Sequence, residues 1–264
     1  MLGTIKVGIK HLVAKYLFDR GLQNDTLFRM ITGTFINPPK TRREIICGHS
    51  VLINIPSLTV FHNLHEDLKG KNEQATIKYL AENLRDGDVF CDVGANIGIY
   101  PVLAGKLARL DANIAIEPSS QNYAELVRNT MLNDLQNTVC LHYALSDHTA
   151  VVDFPAGDLS PGYMHGQVGK GGGFVEKVQL AVFDELVDQI ELKLPSVILM
   201  DIDGAEVEAF NGMAKTLSNE FLRIVIVEVD PSTVEDVEQI LTNKGFKTTQ
   251  DRTQSRGNEM YERS

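Results

Sequence analysis

The chain has 264 residues, 43% hydrophobic and 23% charged, the size and balance of one large globular domain or of one domain with an extension. Its formal net charge of −10 argues against a nucleic-acid backbone as the main ligand, because phosphate binding needs a basic face. No apolar run reaches the roughly 18 residues of a bilayer span, so no transmembrane segment is expected.

Residues 1–30 read as helical. In the first 20, apolar residues recur at near-helical spacing with Lys6, Lys10 and Lys15 between them. A helix packed on its own protein is expected there. Peripheral membrane contact through residues 1–20, or packing on a second copy in a homo-oligomer, are the alternatives. Pro38-Pro39 marks a break, and the alternation over 43–62 suggests one or two short strands. Residues 72–84 read as a helix that stops at the turn signal Arg85-Asp86-Gly87-Asp88. The expected division is therefore an N-terminal extension over 1–70 and a main domain over 71–264. Cys47, Cys91 and Cys140 lie in apolar stretches without CxxC spacing. They are expected to be buried free thiols of a reducing, cytoplasmic compartment.

From Asp88 the pattern alternates. VFCDV is a strand and 98–109 a helix. NIAIEP is a strand, and 119–133 a helix capped by Ser119 or Ser120. TVCLHYAL is a strand. AVVDF and FVEKVQLAV flank a loop at 155–173 and read as a hairpin. Helix 182–190, strand SVILMD, helix 205–218, strand RIVIVEVD and helix 232–243 follow. FKTTQ and NEMYER read as a closing antiparallel pair. The fold class implied is α/β, a mostly parallel sheet with helices on both faces.

In such a sheet a ligand binds beyond the carboxyl ends of the strands, where the strand order reverses. Acids stand at those ends: Asp92, Glu117, Asp201, Asp203 and Glu228. The turn in DVFCDVGANIGIY (88–100) lacks the lysine of a P-loop. The cluster Gly169-Lys170-Gly171-Gly172-Gly173 lacks the Ser or Thr that would follow. Asn96 stands where a dinucleotide fingerprint needs its central glycine, and Asp92 before the turn repels phosphate. S-adenosylmethionine carries a sulfonium and an ammonium but no phosphate, and acids at strand ends suit it. Gly94 would let the backbone pass close to its methionyl part. Glu117, on the next strand, could hold a ribose diol through two hydrogen bonds. Nicotinamide-dependent dehydrogenation is the disfavoured alternative.

DVGANIGIY, IEPSSQNYAELVRNTMLNDLQN, HYALSD and MDIDGAEVEAFNGM occur in that order. Together they resemble the FkbM family of S-adenosylmethionine-dependent methyltransferases over about residues 85–230. The resemblance implies the Rossmann-like class I fold, with seven strands, the last antiparallel. It implies O-methylation of a hydroxyl on a sugar, glycan or natural-product acceptor, with S-adenosylhomocysteine as product. Carried over by motif, Asp92, Gly94, Ala95, Asn96 and Gly98 line the methionine side. Glu117 holds the ribose, Pro118, Tyr143, Ala144 and Leu145 flank the adenine, and Glu73 faces the cofactor. Asp201, Asp203 and Glu206 are the catalytic candidates, Asp201 also touching the cofactor. Asp203 stands where the family carries a glutamate. No metal is expected. His62, His65 and His165 are read as ordinary surface or core residues. A catalytically silent cofactor-binding scaffold in a glycan-assembly complex is the second reading. Residues 1–70 and 155–175 carry no transferable motif, and acceptor specificity is expected there.

Overall fold

The computed structural model describes residues 41–55, 71–155, 175–249 and 258–264. All belong to the second of two compact units, 1–40 and 41–264. The expected N-terminal helix, His62, His65, His165 and the glycine cluster at 169–173 lie outside the described residues.

A seven-stranded sheet forms the centre. Its strands are β3 (Val89–Val93), β4 (Ala112–Ile116), β5 (Thr138–Leu141), β9 (Val197–Met200), β10 (Ile224–Val227), β11 (Phe246–Thr248) and β12 (Glu259–Arg263), in the spatial order β11-β12-β10-β9-β3-β4-β5. β12 is antiparallel to both neighbours, and the β5-β4-β3-β9-β10 block is parallel throughout. VILM in β9 and IVIV in β10 are buried at every position, as strands covered on both faces must be. The covering helices are α1 (Lys71–Asn83), α2 (Ile99–Leu107), α3 (Ser120–Leu132), α4 (Phe183–Gln189), α5 (Glu206–Asn211), α6 (Ala214–Leu217) and α7 (Val234–Asn243). Ser119 caps α3 by accepting from the Asn122 amide at 3.5 Å.

The chain leaves β3 toward β4 and β5, then returns to lay β9 on the other side of β3. The order therefore reverses beside β3, which opens a crevice over the ends of β3 and β9.

Two expectations are corrected. TVCLHYAL is not one strand. It breaks at His142-Tyr143, and β6 (Ala144–Leu145) joins a separate three-stranded sheet with β7 (Ala150–Pro155) and β8 (Val175–Ala181), in the order β6-β8-β7. Helix 205–218 is likewise two short helices. A Cβ on Gly212 would stand 2.1 Å from the Ser146 carbonyl oxygen, so the helix breaks where it passes the β6 loop.

The 43–62 segment gives a hairpin, β1 (Thr41–Ile46) and β2 (His49–Asn54). Cys47, expected buried, is exposed in its turn at φ 49°, whereas Cys91 is fully buried. Val51, Ile53 and Ile55 bury against Ile97, Val102 and Leu103, each burial being worth about 2 kcal/mol. The backbone edge of β2 pairs with side chains of α3. Leu52 donates to Asn133 Oδ1 (2.9 Å) and accepts from its Nδ2 (2.7 Å), and the Asn54 amide donates to Asn129 Oδ1 (2.7 Å). Two asparagines one helical turn apart thus act as a surrogate strand for β2.

At the amino-terminal ends of β3, β9 and β10, opposite the ligand crevice, Asp88 accepts from Arg223 (2.5 Å), Ser196 Oγ (2.7 Å) and the Arg85 amide (2.7 Å). Arg263 of β12 donates to four carbonyls, those of Leu217, Asn219, Leu222 and Lys244, and its guanidinium lies 4.4 Å from the Phe246 ring centroid.

Candidate functional site

Ladder bonds at the carboxyl ends of the strands draw the acids together. Glu117 donates its amide to Leu141 O (3.0 Å), Asp201 to Val93 O (2.9 Å) and Glu228 to Met200 O (2.9 Å). Gly94 and Ala95 both donate to Ile116 O at 2.9 Å, which folds the turn over the end of β4.

Gly94 is required for a reason the sequence did not reveal. At φ 86° its absent Cβ would stand 1.9 Å from the Asp201 carbonyl oxygen. Glycine first lets β3 and β9 end side by side, and only then exposes backbone to a ligand. Gly98 serves packing, since a Cβ there would lie 2.6 Å from Leu126 of α3. Ala95 also faces inward, with Ala115 and Leu126. Asn96 adopts φ 50°, its amide donates to Glu117 Oε2 at 2.8 Å, and its own buried Oδ1 has no partner. Glu117 Oε1 accepts from the Ser119 amide, also at 2.8 Å.

Beyond these ends lies a cavity of about 500 Å³, within the range of small-molecule sites. Of the residues singled out from sequence, Gly94, Asn96, Glu117, Pro118, Tyr143, Ala144, Leu145, Asp201 and Asp203 line it. Asp92 sits just behind, 1% exposed, with neither carboxylate oxygen hydrogen-bonded. Burial, with Asp201, Glu117 and Glu73 nearby, pushes its carboxyl well above the usual range. Glu73 accepts from the Tyr100 hydroxyl beside this group. Burial also raises Glu117 to about 7, against the pull of its amide donors. Asp201 is raised to about 8 by burial and by Glu228, Asp203 and Glu73.

Glu206 is elsewhere. It is fully buried, accepting from the Gly204 amide (2.6 Å) and the Thr233 hydroxyl (3.0 Å), and the cavity lining omits it. Its carboxylate braces the turn that carries Asp203, a residue held at φ 50°. Sequence reasoning missed His148, Glu208, Phe154 and Leu180, which also line the cavity. The last two come from the small second sheet, which no local pattern places over the crevice. His148 pairs with Asp147 at 2.6 Å.

The lining residues include five carboxylates and neither lysine nor arginine among those described. A phosphate-bearing ligand would meet only repulsion here, whereas a cationic one would relieve it. The orphaned, buried Asp92 is the strongest sign, since a carboxyl pushed up by burial and by neighbouring acids ionises only beside a positive charge. The donor set therefore fits S-adenosylmethionine. Among the described residues no group of three or more His, Cys, Asp or Glu is arranged to hold a metal ion. Nor is any helix among them long and apolar enough to cross a membrane.

The hexuronic acid methyltransferase AglP of Haloferax volcanii is 28% identical over 208 residues, covering 77% of this chain and 80% of that protein. The crystal structure of methyltransferase FkbM from Methylobacillus flagellatus superposes with a TM-score of 0.46 at 20% identity. The match covers 67% of this chain and 44% of that one. The M. jannaschii TYW2 structure in complex with AdoMet gives 0.42 at 14% identity, over 86% and 89%. A family model described as the methyltransferase FkbM domain matches residues 92–248, more than half of the chain, and the chain belongs to that family of methyltransferases.

Proposed function

We propose that the protein transfers a methyl group from S-adenosylmethionine to a hydroxyl of a sugar or glycan-type acceptor. The observation that carries this reading is the Asp92 carboxylate, buried and without a hydrogen-bond partner beside Asp201, Glu117 and Glu73, at the edge of a cavity free of lysine and arginine among its described residues. Kinship with a hexuronic acid methyltransferase supports the sugar acceptor.

S-adenosylmethionine, when bound, supplies an activated methyl group on a positively charged sulfur. Asp92, Glu73 and Asp201 hold the cationic end, with Gly94 and Asn96 forming the floor. Glu117, already fixed by two amide donors, retains lone pairs for a ribose diol. Pro118, Tyr143, Ala144 and Leu145, with Phe154 and Leu180, give the adenine an apolar slot. Asp203 and Glu208 face the acceptor. Positioning and exclusion of water do most of the chemistry. Glu206 acts as a positioning residue through the Gly204 turn.

Thermal shift tests the reading. S-adenosylhomocysteine at 100 times its Kd stabilises by about 2.7 kcal/mol, which for a domain of this size raises Tm by about 5–10 °C. NAD leaves Tm unchanged. Stabilisation by NAD and not by S-adenosylhomocysteine refutes the assignment. Transfer of labelled methyl to a panel of glycosides then tests the acceptor class, and transfer confined to amine acceptors would refute the hydroxyl.

A further inference from the structure

The acids at the ends of β9 and β10 differ in one respect from the others in the cavity. Asp201 and Glu228 directly follow Met200 and Val227, which are paired on the neighbouring parallel strands, and both line the cavity, so their carboxyls lie close enough for a side-chain hydrogen bond that helps raise Asp201. Two carboxylates can bond directly only by sharing a proton, so one of them is neutral while they do. Asp201 is half-buried, whereas Glu228 is exposed toward solvent. Among the described residues, the other charged groups that act on Asp201 are also acids: Asp203 on its own loop, Glu73 on α1 and Asp92 on β3. No lysine or arginine among the described lining residues competes for the pair.

We propose that Asp201 and Glu228 form a proton-exchanging pair, which releases its shared proton when a cationic methyl donor is bound and takes up the acceptor hydroxyl's proton during transfer. This rests on the reading of the site as an S-adenosylmethionine site. A positive charge beside the pair lowers the affinity of both carboxylates for the shared proton, and Glu228 offers it a route to solvent. The doubly ionised pair is then a base facing the acceptor. In the transfer step the acceptor oxygen forms its bond to the methyl carbon. The sulfur–methyl bond breaks with its electron pair going to sulfur, and the hydroxyl proton passes to the pair. The cavity loses one positive charge on sulfur as it regains one proton, so its net charge is the same before and after.

The unpartnered Asp92 carboxylate marks the place where the positive charge belongs, and it lies on the strand adjacent to Asp201. Glu228 thereby gains a role that its position after a buried strand did not reveal.

The experiment is titration calorimetry of S-adenosylmethionine and of S-adenosylhomocysteine at pH 7 in phosphate and in Tris. These buffers differ in ionisation enthalpy, so the difference in observed heat counts protons released. The two ligands share ribose, adenine and amino-acid portions and differ in the charge on sulfur. Subtracting one from the other removes any contribution of Glu117 to ribose binding. At pH 7 a group titrating near 8 is about 90% protonated. The expected difference is about half a proton or more, released only with S-adenosylmethionine. Asp201→Asn mimics the protonated acid and Glu228→Gln removes its partner, so in each the difference in proton release between the two ligands is expected to vanish, while S-adenosylhomocysteine still binds, more weakly where Asp201 no longer meets its ammonium.

Equal proton exchange for both ligands in the unaltered protein overturns the pair while leaving the cofactor assignment intact. Release that survives both substitutions moves the proton to Asp92 and also overturns the pair. Failure of both ligands to bind overturns the cofactor assignment and this inference with it.

Discussion

Gly94→Ala perturbs the junction on which the site is built. Two costs arise, and the structure separates them. The first is conformational. An L-residue at φ 86° lies in the left-handed region, at about 1–2 kcal/mol. Gly87→Ala isolates that cost, because Gly87 has φ 88° and nothing within 4 Å of its absent Cβ. The second is steric and belongs to Gly94 alone. Its Cβ would stand 1.9 Å from the Asp201 carbonyl oxygen and 2.9 Å from the carbonyl carbon. Restoring ordinary contact needs a displacement of about 1.5 Å, and the obstructing atoms are backbone fixed by the ladder to β3. Overpacking costs about 1–3 kcal/mol, and backbone takes the upper end. The sum is about 4–5 kcal/mol for Gly94→Ala against 1–2 kcal/mol for Gly87→Ala. At about 2–4 °C per kcal/mol, Tm falls by about 8–20 °C in the first and by about 2–8 °C in the second. Differential scanning calorimetry of both variants measures this, with S-adenosylhomocysteine affinity of whatever folds as a second readout. Displacing Asp201 weakens that binding at least 10-fold. Equal melting of the two variants, or undiminished binding by Gly94→Ala, would show that the strand ends do not meet as described.

Three further outcomes are expected. Glu117 titrates near 4.5 when unfolded and about 7 when folded, so in between the folded chain holds a proton the unfolded chain has lost. Its contribution is full below about pH 4.5 and is lost as pH rises through 7, by about 3 kcal/mol. Asp201 continues the fall toward pH 8. The ligand-free protein is therefore expected to melt lower at pH 8 than at pH 6, and Glu117→Gln to flatten the slope between pH 5 and 7; a rising profile would contradict this. Glu206→Ala leaves the Gly204 amide and Thr233 hydroxyl without their acceptor and is expected to cost about 2–4 kcal/mol in urea unfolding, with loss of ligand affinity through the 203–205 turn. Asp88→Ala uncovers Arg223 at the far edge of the sheet, at about 3–5 kcal/mol, but should leave S-adenosylhomocysteine affinity unchanged, as calorimetry can check.

Most of the parallel sheet was legible because its strands are short, mostly apolar and bounded by turn residues. VFCDV matches β3 residue for residue. The strand-end acids were legible for a related reason, since a charge next to a buried run has few places to go. What escaped depends on contacts distant in sequence. Nothing local in TVCLHYAL says that Ala144-Leu145 will pair with β8 rather than extend β5. The break at Gly212 is imposed by a carbonyl 66 residues earlier, that of Ser146. Glu206, on the first turn of a helix beside Asp201 and Asp203, looked chemical. Its bond to Thr233, a tertiary contact across 27 residues, turns the carboxylate inward. The role of Asn129 and Asn133 in IEPSSQNYAELVRNTMLNDLQN is visible only with the edge of β2 against them.

The position of β12 has a consequence for how the chain matures on the ribosome. This strand is made after β11 yet lies between β11 and β10. Until residues 259–263 emerge, IVIV of β10 presents an open hydrogen-bonding edge, apolar and without a charged gatekeeper among its four residues. The nascent chain therefore carries an aggregation-prone border from the emergence of β10 until β12 arrives, and closure is a non-local event. A chaperone that shields that border until β12 docks would therefore raise the yield of folded protein without changing the stability of the finished fold.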